Sequence, residues 1–154
     1  MVRRHCTLDL SVVGTISFRG GFQQSNLFDT FEGIPEVGFI DTSNYQGEFS
    51  ASFESCKKIF QNERNLVIFK GIFPDSAVPI LDKTFSFVHL DVDTYKSTLD
   101  CLNFFYPRIS KGGIILSHDY LWGPGVKKAF DEFFSNKLEV VLETGGTQCL
   151  VVKL

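Results

Sequence analysis

Apolar positions along the chain follow two periods, one suited to strands and one to helices. Leu10 to Phe18 is apolar and β-rich, and Arg19-Gly20-Gly21 breaks it. Asn26-Leu27-Phe28-Asp29 reads as a short strand that ends in a carboxylate. Phe31-Glu32-Gly33-Ile34-Pro35 follows as a turn-rich loop, and the chain stays loop-like to about Gln46. Phe49, Phe53, Cys56 and Phe60 then fall at offsets of 0, 4, 7 and 11, the spacing of an amphipathic helix. Leu66 to Phe69 is a strand, closed by Gly71 and Pro74.

Phe85 to Leu90 is a strand that runs into Asp91. Tyr95, Leu99, Leu102 and Tyr106 repeat the offsets 0, 4, 7 and 11, so a second helix follows and Pro107 ends it. Ile114 to Ser117 is the next strand. A third helix starts at Pro124, a residue suited to a first helical position, with Val126, Ala129, Phe130 and Phe133 on one face. Leu138 to Leu142 and Cys149 to Val152 are late strands around Gly145-Gly146, a hairpin pattern that predicts an antiparallel last strand. Alternating strands and helices predict an α/β three-layer sandwich in one domain over residues 1–154.

Residues 1–25 are atypical for that architecture. Parallel neighbours need a crossover of about a dozen residues, yet only seven residues separate Phe18 from Asn26. The first two strands therefore read as a hairpin, and the first half of a doubly wound nucleotide site is absent or distorted.

Bulk properties narrow the function. At 154 residues the chain suits one core, and seventeen Phe make that core aromatic. A net charge of −3 gives nucleic-acid binding no electrostatic support. No apolar run approaches the ~18 residues of a membrane span, and the start reads as no signal peptide, so a cytoplasmic protein is expected. Cys6, Cys56, Cys101 and Cys149 are widely spaced and are expected to be buried, reduced thiols.

Asp91 and the pair His118-Asp119 end two strands joined by a helix. Both strand ends reach the same edge of a parallel sheet, the edge where ligands bind in open α/β sheets. Adjacent strands lie ~4.8 Å apart, so these groups can share a cation. A carboxylate at a buried strand's end also suits a general base. Asp93 is assigned to capping the next helix, a common role for Asp, and Asp91 to the chemistry. Oxygen ligands favour Mg²⁺, whereas an imidazole accommodates Mn²⁺, Fe²⁺ or Zn²⁺; the sequence does not choose. Asp29 suits ribose hydroxyls or, alternatively, turn initiation. Tyr95, Tyr120 and Trp122 lie near the site in sequence, as substrate contacts or as core and rim residues.

Several motifs occur in a fixed order: Asp29-Thr30-Phe31-Glu32-Gly33-Ile34-Pro35, Lys70-Gly71-Ile72-Phe73-Pro74-Asp75-Ser76, His89-Leu90-Asp91-Val92-Asp93-Thr94-Tyr95-Lys96-Ser97-Thr98, Phe104-Phe105-Tyr106-Pro107-Arg108, Gly112-Gly113-Ile114-Ile115, and His118-Asp119-Tyr120 to Pro124-Gly125-Val126-Lys127-Lys128-Ala129. Together they resemble the macrocin O-methyltransferase family over about residues 27–153. The resemblance implies a Rossmann-like methyltransferase fold with a mostly parallel sheet and an antiparallel last strand. It implies S-adenosylmethionine, a divalent cation (Mg²⁺ or Mn²⁺), and a hydroxyl acceptor on a sugar or glycosylated small molecule. Asp91 resembles the family's metal-binding acid and base. His118 and Asp119 stand where the family usually has Asp-Asp, and His118 is a departure from that pair. Asp29 resembles the acid that holds the cofactor ribose, and Gly71 lies in the loop expected near the adenine.

The N-terminus departs from the family. There a strand, a Glu-x-Gly loop that cradles the cofactor's methionine part, and a helix precede the segment equivalent to Asn26. Here that βα unit is shortened or missing, and Val12–Phe18 is a candidate for the vacated central slot. Three readings follow, in order: a metal-assisted O-methyltransferase, possible as a homodimer; a truncated, non-catalytic methyltransferase-like domain; and a metal-dependent hydrolase.

Overall fold

The computed structural model describes residues 11–17 and 23–154. Its strands are β1 (Ser11–Ser17), β2 (Gln23–Asp29), β3 (Leu66–Lys70), β4 (Phe85–Asp91), β5 (Ile109–Ser117), β6 (Leu142–Glu143) and β7 (Cys149–Val152). Its α-helices are α1 (Phe53–Ile59), α2 (Tyr95–Phe105) and α3 (Pro124–Phe134), with 3-10 turns at Asp75–Ile80 and Tyr106–Arg108. The strands form one sheet in the order β3-β2-β1-β4-β5-β7-β6.

Two strand–helix–strand units, β2-α1-β3 and β4-α2-β5, each contribute a parallel pair. Between them lies β1, antiparallel to β2 and to β4. The expected hairpin is present, and β1 occupies the central slot beside the strand that ends at Asp91. Its register pairs Ser11 with Asp91 and Val12 with Phe28 on one side and Leu90 on the other. The last strand is antiparallel to both neighbours, as expected. A mostly parallel sheet holds only in part: two of six neighbouring pairs are parallel, so the sheet is mixed. Leu10, Phe18, Arg19-Gly20-Gly21 and Cys6 lie outside the described residues.

Side chains opposite one another in register share a face. On one face Phe28, Val88, Leu90, Ile115, Val151 and Cys149 are buried beneath α2 and α3. The Phe surplus becomes a chain of rings. Phe28 stacks on Phe69 at 4.7 Å, meets Phe73 edge-on at 5.4 Å, and Phe73 stacks on Phe105 at 5.1 Å. On the other face α1 covers Leu27 and Ile68 through Cys56 and Phe53. Farther along that face Phe87, His89, Ile114, Leu116 and Leu150 are half-buried. The expected three layers are present, the second helical layer only over β2 and β3 among the described residues. Cys56, Cys101 and Cys149 are buried, and no disulfide joins them.

Five local expectations change. Phe49 takes φ +63 and lies outside α1, so its match to the helical spacing is coincidental. Helix α2 buries Thr98, Cys101, Leu102 and Phe105, a face rotated from the one expected. Strand β5 starts at Ile109 rather than Ile114, and the strand expected over Leu138–Leu142 shrinks to Leu142–Glu143. The cap of α2 is Thr94, whose hydroxyl accepts from Ser97 N, and not Asp93.

Asp41, a loop residue, also serves α2. Its carboxylate is buried; one oxygen accepts from Tyr95 N at 2.8 Å and the other from Gly38 N at 2.9 Å. The first turn of α3 packs against this junction at Gly125, where a Cβ would collide with the Asp41 carboxylate and crowd Tyr95 N. Gly125→Ala is therefore expected to cost about 1–3 kcal/mol in chemical denaturation, the range for overpacking. Gly145→Ala, where a Cβ meets nothing within 4 Å, is expected to stay within about 0.5 kcal/mol. Equal effects at the two positions would contradict this account.

Candidate active site

Strand β4 ends at Asp91, and Asp91-Val92-Asp93 turns the chain into α2. Its neighbour β5 ends at Ser117, and His118 N extends the ladder by donating to Leu90 O at 2.8 Å. This parallel pairing sets His118 beside the end of β4. Its Nδ1 lies 3.0 Å from Asp119 Oδ2 and 3.5 Å from Asp91 Oδ1. Ligand atoms from Asp91, His118 and Asp119 all lie within 4.8 Å of one another. Adjacent ligands around a cation with bonds of about 2.1 Å sit roughly 3 Å apart, so this set fits a divalent ion with little adjustment. All three are partly buried. The residues singled out on strand-end grounds are thus brought together.

Asp29 and Gly71 meet at a second place. Gly71 N donates to Asp29 O at 3.0 Å, tying the end of β2 to the loop after β3. Gly71 has φ +145, and a Cβ there would press on Ser76, so glycine is required by backbone and by space. Both residues line an apolar pocket with Phe28, Phe73, Val92 and Cys101. Burial pushes the Asp29 carboxyl up to about 6, partly offset by the Phe31 N–H that its side chain accepts at 2.5 Å. This carboxylate combines the two readings of the sequence, since it forms a turn and faces a pocket.

A third opening lies against Asp119. It is lined by Ser43, Asn44, Phe49, Asp93, Asp119, Trp122 and Gly123. Sequence reasoning missed Ser43 and Asn44, which lie in a loop with no periodic signal, and placed Phe49 on a helix instead. The turn that carries Trp122 is closed by Trp122 N and Gly123 N, which both donate to Asp119 O. Of the three aromatics near the site, Tyr120 is core, with its hydroxyl donating to Asp131 at 2.6 Å. Tyr95 bonds Glu132 at the rim. Trp122 is exposed.

One turn serves all three places: Val92 lines the apolar pocket, Asp91 joins the cation cluster, and Asp93 lines the opening beside Asp119. His89 on β4 has its pKa lowered, first by burial and then by the nearby His118.

The sequence model of the macrocin-O-methyltransferase (TylF) family matches residues 19–143. The chain is 30% identical over 120 residues to demethyldecarbamoylnovobiocin O-methyltransferase of Streptomyces niveus, covering 68% of this chain and 45% of that protein. It is 29% identical over 104 residues to 8-demethyl-8-(2,3-dimethoxy-alpha-L-rhamnosyl)-tetracenomycin-C 4'-O-methyltransferase of Streptomyces olivaceus, covering 60% of this chain and 40% of that protein. The chain thus spans less than half the length of these relatives. Among solved structures it resembles the calicheamicin methyltransferase CalS11 with a TM-score of 0.69 at 21% identity, over 81% of this chain and 58% of that one. It resembles the O-methyltransferase NovP with a TM-score of 0.65 at 23% identity, over 82% of this chain and 58% of that one. At these identities the likeness establishes the fold.

The Asp29 shift has a stability consequence. Its folded pKa of about 6 exceeds the ordinary carboxyl value of 3.8, so the folded chain keeps a proton that the unfolded chain releases. Stability falls as pH rises through that window, and the cost is complete above about pH 6. Asp29→Asn keeps the acceptor for Phe31 N and removes the charge. It is expected to raise stability at pH 7.5 by on the order of 2 kcal/mol and to leave it nearly unchanged at pH 3.5. Parallel melting curves across that range test this; a gain independent of pH would contradict it.

Proposed function

We propose that this chain, which belongs to the macrocin O-methyltransferase family, is an S-adenosylmethionine-dependent, divalent-metal-assisted O-methyltransferase. Its acceptor is a hydroxyl on a sugar or glycosylated small molecule. The observation that carries the reading is the Asp91-Val92-Asp93 turn, which borders an apolar pocket with a buried carboxylate, a cation-sized cluster and a polar-aromatic opening. Support for the acceptor class comes from the two relatives, whose names describe methylation of a novobiocin precursor and of a rhamnosyl tetracenomycin.

In this reading the apolar pocket takes the adenosine of the methyl donor. Asp29 accepts hydrogen bonds from the ribose hydroxyls, more strongly once ionised, and burial holds its carboxyl at about 6. Gly71 lets the loop after β3 approach the base without a side chain between. Asp91, His118 and Asp119 hold the cation, and Asp91 takes the proton that the acceptor hydroxyl gives up. S-adenosylmethionine supplies the electrophilic methyl group, and a divalent cation supplies Lewis acidity that makes a hydroxyl easier to deprotonate. What the fold adds is placement. Two strand ends and one helix start fix donor, base and acceptor side by side, and such positioning accounts for ~7–11 kcal/mol of barrier in well-oriented systems.

A non-catalytic reading has one specific observation in its favour. Because β1 runs opposite to β2 and β4, its last residues lie at the edge away from Asp91. The family's methionine-cradling loop follows its central strand at the Asp91 edge, so β1 does not supply it.

Calorimetric titration with S-adenosylhomocysteine, in Mg²⁺ and then in Mn²⁺, separates the two readings. Micromolar binding is expected for the enzyme, and no binding by the folded chain would establish the non-catalytic alternative. Asp91→Ala is expected to remove metal dependence and lower methyl transfer by about 10²–10⁴-fold, the usual contribution of a positioned base, while cofactor affinity changes little. Unchanged turnover would sink the assignment of Asp91.

A further inference from the structure

The opening beside Asp119 has a composition and a size that together select a ligand. We infer that it receives one sugar ring of the acceptor, with the face of that ring lying on the indole of Trp122. This inference rests on the methyl-transfer reading of the adjoining site.

Three observations carry it. The first is the lining. Trp122 is 79% exposed and Phe49 41%, so both offer aromatic surface to solvent, while Ser43, Asn44, Asp93 and Asp119 offer hydroxyl, amide and carboxylate groups. A saturated sugar ring carries C–H bonds on its faces and hydroxyls around its rim. Aromatic walls match the faces, and carboxylate and amide oxygens accept from the rim. A flat aromatic ligand would cover the walls but bring fewer hydroxyl donors to that rim.

The second observation is size. The opening holds about 230 Å³, below the ~300–1,000 Å³ of pockets for drug-sized ligands. It suits one ring and excludes a whole glycosylated molecule, so the remainder of the acceptor stays outside.

The third is the backbone. Four non-glycine residues among those described have positive φ: Phe31, Phe49, Asp93 and Asp119. Three of the four line this one opening. Positive φ is uncommon in non-glycine residues, less so for Asp than for Phe, and such residues cluster at active sites and ligand clamps. Here it recurs at Phe49, Asp93 and Asp119, which border one space. Asp119 belongs also to the cluster with Asp91 and His118, so a ring hydroxyl on that side adjoins the proposed base. Trp122 thereby acts as a specificity-determining residue, apart from the groups that touch the methyl donor.

Trp122 is the single tryptophan of the chain, so intrinsic fluorescence reports on this opening alone. The full chain, with S-adenosylhomocysteine and Mg²⁺, is titrated with methyl α-L-rhamnopyranoside, methyl β-D-glucopyranoside and, as a flat competitor class, 4-hydroxybenzoate. A saturable change in Trp122 emission with either glycoside is expected. No change with both, up to about 100 mM, overturns the inference, since binding weaker than that has no useful free energy. A response to 4-hydroxybenzoate alone also overturns it, in favour of an aromatic occupant.

Saturation-transfer NMR of the responding glycoside extends the test to variants. Trp122→Ala is expected to weaken binding on the order of tenfold and Trp122→Phe by much less, with S-adenosylhomocysteine affinity unchanged in both. Trp122 is exposed, so both variants are expected to fold. Equal glycoside affinity in parent and Trp122→Ala overturns the stacking role. Loss of S-adenosylhomocysteine binding by the parent chain is a different failure, that of the methyl-transfer reading itself.

Discussion

Asp41 is a carboxylate with almost no contact with water, and its two oxygens are spent on two backbone N–H groups. One belongs to Gly38 in its own turn, the other to Tyr95, the first residue of α2. Burial of a charge without such donors is prohibitive, and the positive end of a helix is a favourable place for it. The same carboxylate fills the space that Gly125 leaves by lacking a side chain. Loop, α2 and α3 are therefore locked at one point. The Asp91-Val92-Asp93 turn lies immediately before that point, so its aim toward pocket, cluster and opening is set by a residue 54 positions from Tyr95.

The slot between β2 and β4 shows what a sheet demands of a strand and what it leaves free. A central strand must present hydrogen-bonding groups on both edges and side chains that alternate between faces. Direction is less constrained, since antiparallel ladders are at least as stable as parallel ones. Thus β1 enters from the opposite end, pairs with both neighbours over most of its length, and leaves β2 and β4 pointing the same way. The C-terminal ends of β2 and β4 stay at one edge, which keeps Asp29 and Asp91 on the same side of the molecule.

Much of this arrangement is written locally. Asp91, His118 and Asp119 are legible because each follows an apolar strand, and two parallel strands joined by a helix must end together. Pro124 marks the start of α3 because its fixed φ and missing N–H suit a first turn. The hairpin of β1 and β2 follows from too short a connection. Other features have no local signature. Asp41 has the same appearance as any turn aspartate, and its role exists only once α2 and α3 have packed. Phe49 fits a helical spacing yet adopts a backbone that no helix contains. Thr94 outranks Asp93 as a cap because Asp93 is held in the left-handed region, which the extended backbone of a cap excludes. The opening at Trp122 combines the loop of Ser43–Phe49 with two strand ends, and sequence offers no measure of that distance.

β1 has one further significance, for the behaviour of the protein in concentrated solution. It is the partner of two edges at once, Gln23–Asp29 and Phe85–Asp91. Leu27 and Phe28 on one strand and Phe85, Val88 and Leu90 on the other are buried apolar side chains, and neither strand carries a proline. Strands of that kind, once unpaired, template association with other chains. A single reversed strand of seven residues thus separates a closed sheet from two adhesive surfaces, and the colloidal stability of the molecule depends on how tightly that strand is retained.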